Sequence, residues 1–593
     1  MCGIFGMIHK GQEFQDRYES NLLKESIAHR GPSGNGVHHF KNGFAGNVRL
    51  AIVDRAGGHQ PIYTSDKKMG IVYNGEIYNH NELRDDLVKQ GYEFQTKSDT
   101  EVVLQSYKAK GVESFKTFNG MFAFCIWDEV KDVKYVVRDQ IGIKPLYIYE
   151  DGNSIIFSSE IKSLLALPGL DLSLNPLGLQ DFLLYRYIPS PHTLYSRIRK
   201  LDPGTYLEVK GGQAVQWRYW DTSYEPQYPP MSFGEAKEAL DELLTKSVQS
   251  QLMGEVPVGV LLSGGLDSSA ISYYVHKAGA NLKTFNIGFP EVNEFSYSRQ
   301  VAKKFGLEHY EIETTVDELV SCYDQVSLAL DEPIADPACL PLHRICEELK
   351  KHVVVVLSGE GGDELFAGYN QYKEVSGAHL KFGEEYNFFI QRSWYFQDHK
   401  DFLKDKTYPQ SHLRFKKYFE EKSILNGMLN FDMKTWMPDN LMMKADKILM
   451  SHSLEGRFPF LDLNVFEFSC KLPEEYKLNG NLTKFVLRDL VDPVMPKDII
   501  NRPKMGFTVP VDILNQKMKN LIFDCIREVR KTEMAVFLDL EKVEDFVKSY
   551  FKSPEGKNHI KVWTFFTLFY WYLTTMPRFT TKIREKNGVS AFL

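Results

Sequence analysis

The chain has 593 residues, 43% apolar and 25% charged. That length fits two or three large domains, and that composition excludes collagen-like, coiled-coil and largely disordered chains. Lys and Arg number 71 against 78 Asp and Glu, a net charge of −7 with no concentrated basic block, so nucleic acid is not an expected partner.

Taken in chain order, the first thirty residues lack a basic stretch followed by an apolar one, and no secretory signal is expected. Up to about residue 220 short strands dominate. Residues 71–73, 121–127, 135–137 and 155–157 are rich in β-branched and aromatic side chains and bounded by Gly, Asp or Asn. Helices are predicted over 81–90 and 100–110, the second with Ser98 and Glu101 spaced as a capping box and Gly111 as its stop. Residues 221–232 hold Pro226, Pro229 and Pro230 among polar neighbours and read as a linker. The predicted division is 1–212, a linker over 213–231, and 232–593.

Beyond the linker, apolar runs at 258–262, 283–287, 309–312 and 353–357 are separated by enough chain for crossover helices, the pattern of a parallel sheet covered on both faces. After about Tyr369 the pattern is mostly helical. Residues 562–576 are uncharged and aromatic-rich. As a helix they span about 22 Å, short of the roughly 30 Å of a bilayer core, so a buried helix is expected and no membrane contact. The seven cysteines, Cys2, Cys125, Cys322, Cys339, Cys346, Cys470 and Cys525, are odd in number, dispersed and without a C-x-x-C pair. They indicate neither a disulfide framework nor a zinc knuckle, and a cytoplasmic setting fits them best.

Chemistry begins at the chain start. Cys2-Gly3-Ile4-Phe5-Gly6 reads as a strand opening at the terminus, and a small second residue permits removal of Met1. Cys2 would then carry both a thiol titrating near about 8.5 and an α-amine near about 8, a nucleophile and its base in one residue. The amine can take the thiol proton as sulfur attacks a carboxamide and return it to departing ammonia. At the predicted strand end after Tyr73, the Asn74 side chain and Gly75 backbone N–H can stabilise a tetrahedral oxyanion. Asn-Gly is equally a turn signal.

These residues, with His29-Arg30-Gly31-Pro32, the run Arg49, Leu50, Ala51, Ile52, Val53, Asp54, and Asn74-Gly75-Glu76, resemble the class II, or N-terminal nucleophile, glutamine amidotransferases. The resemblance implies that Cys2 attacks glutamine and that Asn74 and Gly75 form the oxyanion hole. It further implies that residues 49–53 and 74–76 line the glutamine site, with Arg49 on the α-carboxylate and Asp99 on the α-amine. An Arg fork suits a carboxylate, while Asp99 can equally serve a helix N-terminus.

In the second part, the strand pattern 258–262 runs into Ser263-Gly264-Gly265-Leu266-Asp267-Ser268-Ser269 and a helix predicted from Ala270. Glycines admit phosphate oxygens to the backbone, hydroxyls add donors, and a helix N-terminus favours the anion. Asp267 suits a phosphate site only with a cation between, which makes it a candidate Mg²⁺ ligand. No Walker A pattern occurs. The run resembles the pyrophosphate loop of the ATP-pyrophosphatase superfamily, which cleaves ATP between its α and β phosphates. A second loop, Ser358-Gly359-Glu360-Gly361-Gly362-Asp363-Glu364, follows the strand pattern 353–357. Both loops then lie at the carboxyl edge of the sheet. There Asp363 can share Mg²⁺ with Asp267, and Glu360 can orient or deprotonate the acceptor or ammonia. Lys504, in Arg502-Pro503-Lys504-Met505-Gly506, can stabilise the leaving pyrophosphate, although a surface lysine fits the same position.

Together the two parts resemble the glutamine-hydrolysing asparagine synthetase family over nearly the whole chain. That resemblance implies an α+β domain of stacked antiparallel sheets with helices, then an α/β parallel-sheet domain with a largely helical C-terminal part. It implies ATP as substrate, with Leu261 and Ile287 meeting adenosine by main chain, Ser263, Gly264, Gly265 and Ser268 on the phosphates, Ser358 and Gly359 near AMP, and Glu360 and Lys504 serving the acyl-adenylate. Glutamine, ATP and aspartate are the implied small-molecule partners. A homodimer is compatible with the sequence and not decided by it.

The segment Asp331-Glu332-Pro333-Ile334-Ala335-Asp336-Pro337 resembles the version in the broader family, including members that amidate other carboxylates, so a sugar acid, peptide or other acid stays open as acceptor. A related β-lactam-forming group lacks the cysteine start. A binding protein with a decayed site would have lost some of Cys2, Asn74, Asp267, Glu360 and Asp363, and all five are present.

Overall fold

The computed structural model describes residues 2–11, 16, 19–225, 229–290, 293–376, 384–392, 398–406, 411–420, 422–502, 513–554, 556 and 558–580. Before residue 220 lie β1 (Cys2–His9), β2 (Gly34–Phe40), β3 (Gly43–Arg49), β4 (Ile62–Tyr63), β5 (Met69–Ile77), β6 (Gly120–Asp128), β7 (Val133–Arg138), β8 (Tyr147–Glu150), β9 (Ser154–Ser158), β10 (Ile198–Lys200), β11 (Thr205–Lys210) and β12 (Gln213–Arg218). They make two antiparallel sheets in the orders β10-β8-β9-β1-β3-β2 and β12-β11-β7-β6-β5-β4.

Side-chain alternation explains how the sheets stack. Along β6, Ala123, Cys125 and Trp127 point into the layer between the sheets, where Ile4 and Ile8 of β1 meet them. Phe122, Phe124 and Ile126 point the other way, onto the helix Asp99–Lys110. Phe5 and Met7 of β1 face the opposite outer layer. Strands buried on both faces read as continuous apolar runs, which is why this region is legible as strands yet shows little polar alternation.

Four expectations are corrected in detail. Residues 213–218, assigned to the linker, form β12, because Gly211 (φ +56°) and Gly212 (φ +76°) make a two-residue turn that pairs Lys210 with Gln213. Asn74 and Gly75 do not end a strand: β5 runs on to Ile77, pairing Asn74 with Ala123 and Gly75 with Phe122. Ser98 caps its helix by accepting from the Thr100 amide, but Glu101 does not close the box. Its carboxylate takes the amides of Gln95 (2.9 Å) and Thr96 (2.6 Å), which the preceding chain brings over the helix start. The helix predicted from Ala270 begins at Leu266, which puts Asp267 and Ser268 in its first turn.

Past the capping box of Ser232 and Glu235 that opens the helix Phe233–Gln251, five strands follow: β13 (Val258–Leu261), β14 (Lys283–Gly288), β15 (Glu308–Glu313), β16 (Val355–Leu357) and β17 (Glu455–Arg457). All neighbours are parallel, in the order β15-β14-β13-β16-β17. The chain builds outward from β13 in one direction, then returns to place β16 on its other side. That reversal opens a crevice at the carboxyl ends of β13 and β16. The remainder is mostly helical. The helix Asn558–Tyr570 is buried, with Trp563, Phe566 and Tyr570 set around Tyr323 at 5.5, 4.8 and 5.0 Å. Among the described residues no helix is long and apolar enough to cross a membrane.

Candidate active sites and the seam between them

The first site lies where the two antiparallel sheets meet at their ends. Register places Cys2 opposite Arg49 in the first sheet, while β5 of the second sheet brings Asn74 alongside, its Oδ1 accepting from the Cys2 N at 3.0 Å. Asn74 is fully buried and its Nδ2 has no hydrogen-bond partner among the described residues. An unpaired buried amide N–H is costly, so this side chain holds Cys2 with one end and keeps a donor ready at the other. Gly75 cannot be any other residue here, because a Cβ would collide with the Met121 carbonyl of β6. Gln60 Nε2 stands 4.0 Å from the Cys2 Sγ.

Burial pushes the Cys2 thiol up, an effect that a backbone hydrogen bond from Leu50 and the Arg49 charge only partly oppose. The sulfur is therefore protonated at rest, and attack needs a base at the moment of reaction. Arg49 donates to the carbonyls of Val53 (3.3 Å), Asp54 (2.8 Å) and Arg55 (3.2 Å), folding the 49–55 loop around itself. Ala51 N donates to Ser33 Oγ, and the Ile52 carbonyl accepts from Glu255 N at 2.9 Å, across the seam to the second unit. Asp99 is buried; its carboxylate accepts from Tyr73 Oη (3.0 Å), Ile77 N (3.1 Å) and Thr100 N (2.9 Å).

The two units share a buried polar seam. Arg30 donates through Nε to the Cys2 carbonyl at 3.0 Å and through Nη1 to Glu160 at 2.8 Å, and its Nη1 makes an ion pair with Asp446 at 2.8 Å. Asp446, in the helix Met443–Ser451, also meets Lys144 at 3.2 Å. Glu76, one residue beyond Gly75, faces Arg457 at 3.8 Å. Burial and the charges of Glu455 and Asp99 hold its carboxyl well above the usual range. The Arg457 carbonyl in turn accepts from Ser358 N at 2.9 Å. One residue of β17 thus joins the glycine loop of the second site to the strand that carries Asn74.

The second site fills the crevice. Its pocket, about 380 Å³, is walled by Leu261, Ser263, Gly265, Asp267 and Ser268 from the first loop, Ile287 from β14, and Ser358, Gly359, Glu360 and Asp363 from the second. Gly264, at φ +75°, has no room for a Cβ against Tyr297 and Ser298, and its carbonyl accepts from Arg502 at 3.3 Å. Ser263 Oγ binds Gly265 N and Ser268 Oγ, at 3.2 and 3.1 Å, shaping the turn. Of the residues expected at this site, Gly264 is not among those lining the pocket, although it shapes the loop, and Lys504 lies outside the described residues.

Sequence reasoning missed the wall opposite. Trp436 and Leu441 come from the helical stretch Asp432–Met442 and Lys444 from the helix after it, and Asp336, Lys484, Arg488 and Arg502 add charged groups to the lining. Lys444 pairs with Asp336 at 2.8 Å, and the charges of Asp336 and Glu360 outweigh burial and hold its ammonium well above the ordinary range. A lysine outside any glycine loop carries no local signal. Only the fold brings it to the site.

A family model for asparagine synthase matches residues 239–573, and a model for a glutamine amidotransferase domain matches residues 1–220. The chain is similar to asparagine synthetase [glutamine-hydrolyzing] 1 of Bacillus subtilis (strain 168), at 33% identity over 96% of each chain. It is also similar to asparagine synthetase B [glutamine-hydrolyzing] of Escherichia coli (strain K12), at 29% identity over 86% of this chain and 82% of that protein.

Proposed function

We start from the fact that this chain belongs to the asparagine synthase family, and we propose that it converts L-aspartate, L-glutamine, ATP and water into L-asparagine, L-glutamate, AMP and diphosphate. The observation that carries this is the coexistence of the Cys2–Asn74 pair and the two-loop crevice in one chain, joined through Arg457. We assign residues 1–218 to glutamine hydrolysis and residues 232–593 to synthesis, in a cytoplasm whose reducing conditions suit seven free, buried cysteines.

With Met1 removed, the Cys2 nitrogen becomes the α-amine, held by Asn74 Oδ1. It takes the thiol proton as Sγ attacks the glutamine carboxamide, and the Asn74 Nδ2 and Gly75 N–H receive the oxyanion. Arg49 and Asp99 bind the α-carboxylate and α-amine. Return of the proton expels ammonia and leaves a glutamyl thioester, which water cleaves. At the crevice, the β-carboxylate of aspartate attacks the α-phosphorus and diphosphate leaves toward the glycine loop and Lys504. Glu360 then takes a proton as ammonia attacks the β-aspartyl-AMP and AMP departs.

Asp267 and Asp363 fit a divalent ion. They offer hard oxygen donors, Asp267 Oδ1 being buried with no hydrogen-bond partner among the described residues, and two carboxylates with substrate phosphates commonly hold Mg²⁺. When bound, that ion supplies positive charge to the departing phosphates. The Lys444–Asp336 pair offers one cation and one anion to the zwitterionic head of an amino acid, which supports aspartate over a sugar acid as acceptor. Free ammonia in neutral water is mostly ammonium and has no lone pair, so a passage along the seam sheltered from solvent keeps the nucleophile usable.

Purified protein given glutamine, ATP and aspartate should form glutamate, AMP and diphosphate. ADP and phosphate as products would overturn adenylation. Cys2→Ala should abolish glutamine use and leave ammonium-driven synthesis, and loss of both contradicts the division of labour. An acceptor screen read by diphosphate release separates aspartate from other carboxylates.

A further inference from the structure

Lys484 belongs to no motif of the sequence, yet its Nζ lies between the two carboxylates assigned to the metal, 2.5 Å from Asp267 Oδ2 and 2.6 Å from Asp363 Oδ1. The residue is 3% exposed. Its backbone is left-handed (φ +53°, ψ +40°), unusual for a long side chain, and it heads the helix Phe485–Val491. Its amide donates to the Phe366 carbonyl at 3.0 Å and its carbonyl accepts from Arg488 N at 2.8 Å. The main chain is therefore fixed, and only side-chain torsions can withdraw the amine.

Glycines make the space. A Cβ at Gly368 would collide with both Lys484 Cε and Asp363 Oδ1, and one at Gly362 would stand 2.5 Å from Asp267 Oδ1. The glycines leave room for the Lys484 ammonium between the two carboxylates.

We propose that Lys484 is the resident counter-ion of the Asp267–Asp363 pair in the nucleotide-free protein, and that it yields this place when a divalent ion arrives with the triphosphate. The inference rests on the ATP reading of the crevice. One ammonium leaves the carboxylate pair with a residual negative charge, but it occupies the space a cation must enter, and Mg²⁺ gives up its water reluctantly for two carboxylates alone. A triphosphate supplies the remaining oxygen ligands and also gives the displaced ammonium new anionic partners. Metal and nucleotide then bind together rather than metal first.

The test uses the full chain and Mn²⁺, followed by paramagnetic resonance and calorimetry, with and without α,β-methylene-ATP. Lys484→Met should bind Mn²⁺ at least tenfold more tightly than the unsubstituted protein in the absence of nucleotide. In the otherwise unchanged protein, Asp267→Asn should weaken nucleotide-dependent Mn²⁺ binding at least tenfold. No gain in the first comparison, or no loss in the second, overturns the proposal. Lys484→Gln replaces the methionine variant if that one fails to fold. Failure of α,β-methylene-ATP to bind any form would instead refute the ATP reading beneath it.

Discussion

Asn74 can be dissected because its two ends serve different purposes. Oδ1 accepts from the Cys2 nitrogen at 3.0 Å, while Nδ2 is buried and unpartnered among the described residues. Asn74→Ala removes both. Losing one oxyanion donor costs about 10²–10³-fold in turnover, roughly 2.7–4 kcal/mol. Losing the acceptor leaves a buried Cys2 N–H unpaired, at about 1–3 kcal/mol of local stability. Asn74→Asp separates the effects, since it keeps an oxygen for Cys2 but replaces the donor by a lone pair. Glutamate release should therefore fall at least 100-fold in both variants. Ammonium-driven diphosphate release should stay within about twofold of the parent, because the crevice uses other residues. A drop of less than tenfold in glutamate release, or an equal loss of the ammonium-driven rate, would refute the assignment.

Three further outcomes follow from the geometry. Arg30→Met leaves Glu160 with Lys162 at 2.6 Å and Asp446 with Lys144 at 3.2 Å but takes the Nε donor from the Cys2 carbonyl, and should cost about 1–3 kcal/mol; a double-mutant cycle with Asp446→Leu should recover part of it, and strict additivity would show that the pair is not coupled. Lys444→Met should raise the acceptor KM at least tenfold with the ATP KM nearly unchanged, and the preference for aspartate over succinate should shrink; equal effects on both acceptors would remove Lys444 from recognition. Burial, reinforced by the Asp363 charge, pushes the Glu364 carboxyl up to about 8. The folded chain then holds a proton that the unfolded chain releases above about 4.3, so this contribution is full at low pH and is lost as pH rises through about 8, at most about 1.4 kcal/mol per unit. Glu364→Gln should flatten the decline in thermal midpoint between pH 5 and pH 8, and an unchanged decline would assign it to other groups.

What this sequence determined by itself is local. Contiguous side chains and backbone preferences specify a strand that opens with Cys2, glycine turns that only small residues can make, and a helix after the Ser263–Ser269 run, whose start at Leu266 rather than Ala270 only the structure shows. They also specify a proline-rich break between two rhythms of structure. Even the misreadings are local: the Gly211-Gly212 hairpin was a readable turn signal, and Asn74-Gly75 belongs inside a strand because pairing with β6 outweighs the turn preference of Asn-Gly. Tertiary structure decided the rest. Arg30 meets Asp446, Arg457 meets Glu76, and Lys484 meets Asp267 across hundreds of residues of chain. Each is a single long-range pair of ordinary charged residues, and no periodicity or spacing distinguishes such a residue from a solvated surface charge. Only chain topology, which returns β16 beside β13 and β17 beside β16 and brings Arg457 of β17 to Glu76 of β5, converts those charges into a seam, a pocket wall and a resident cation.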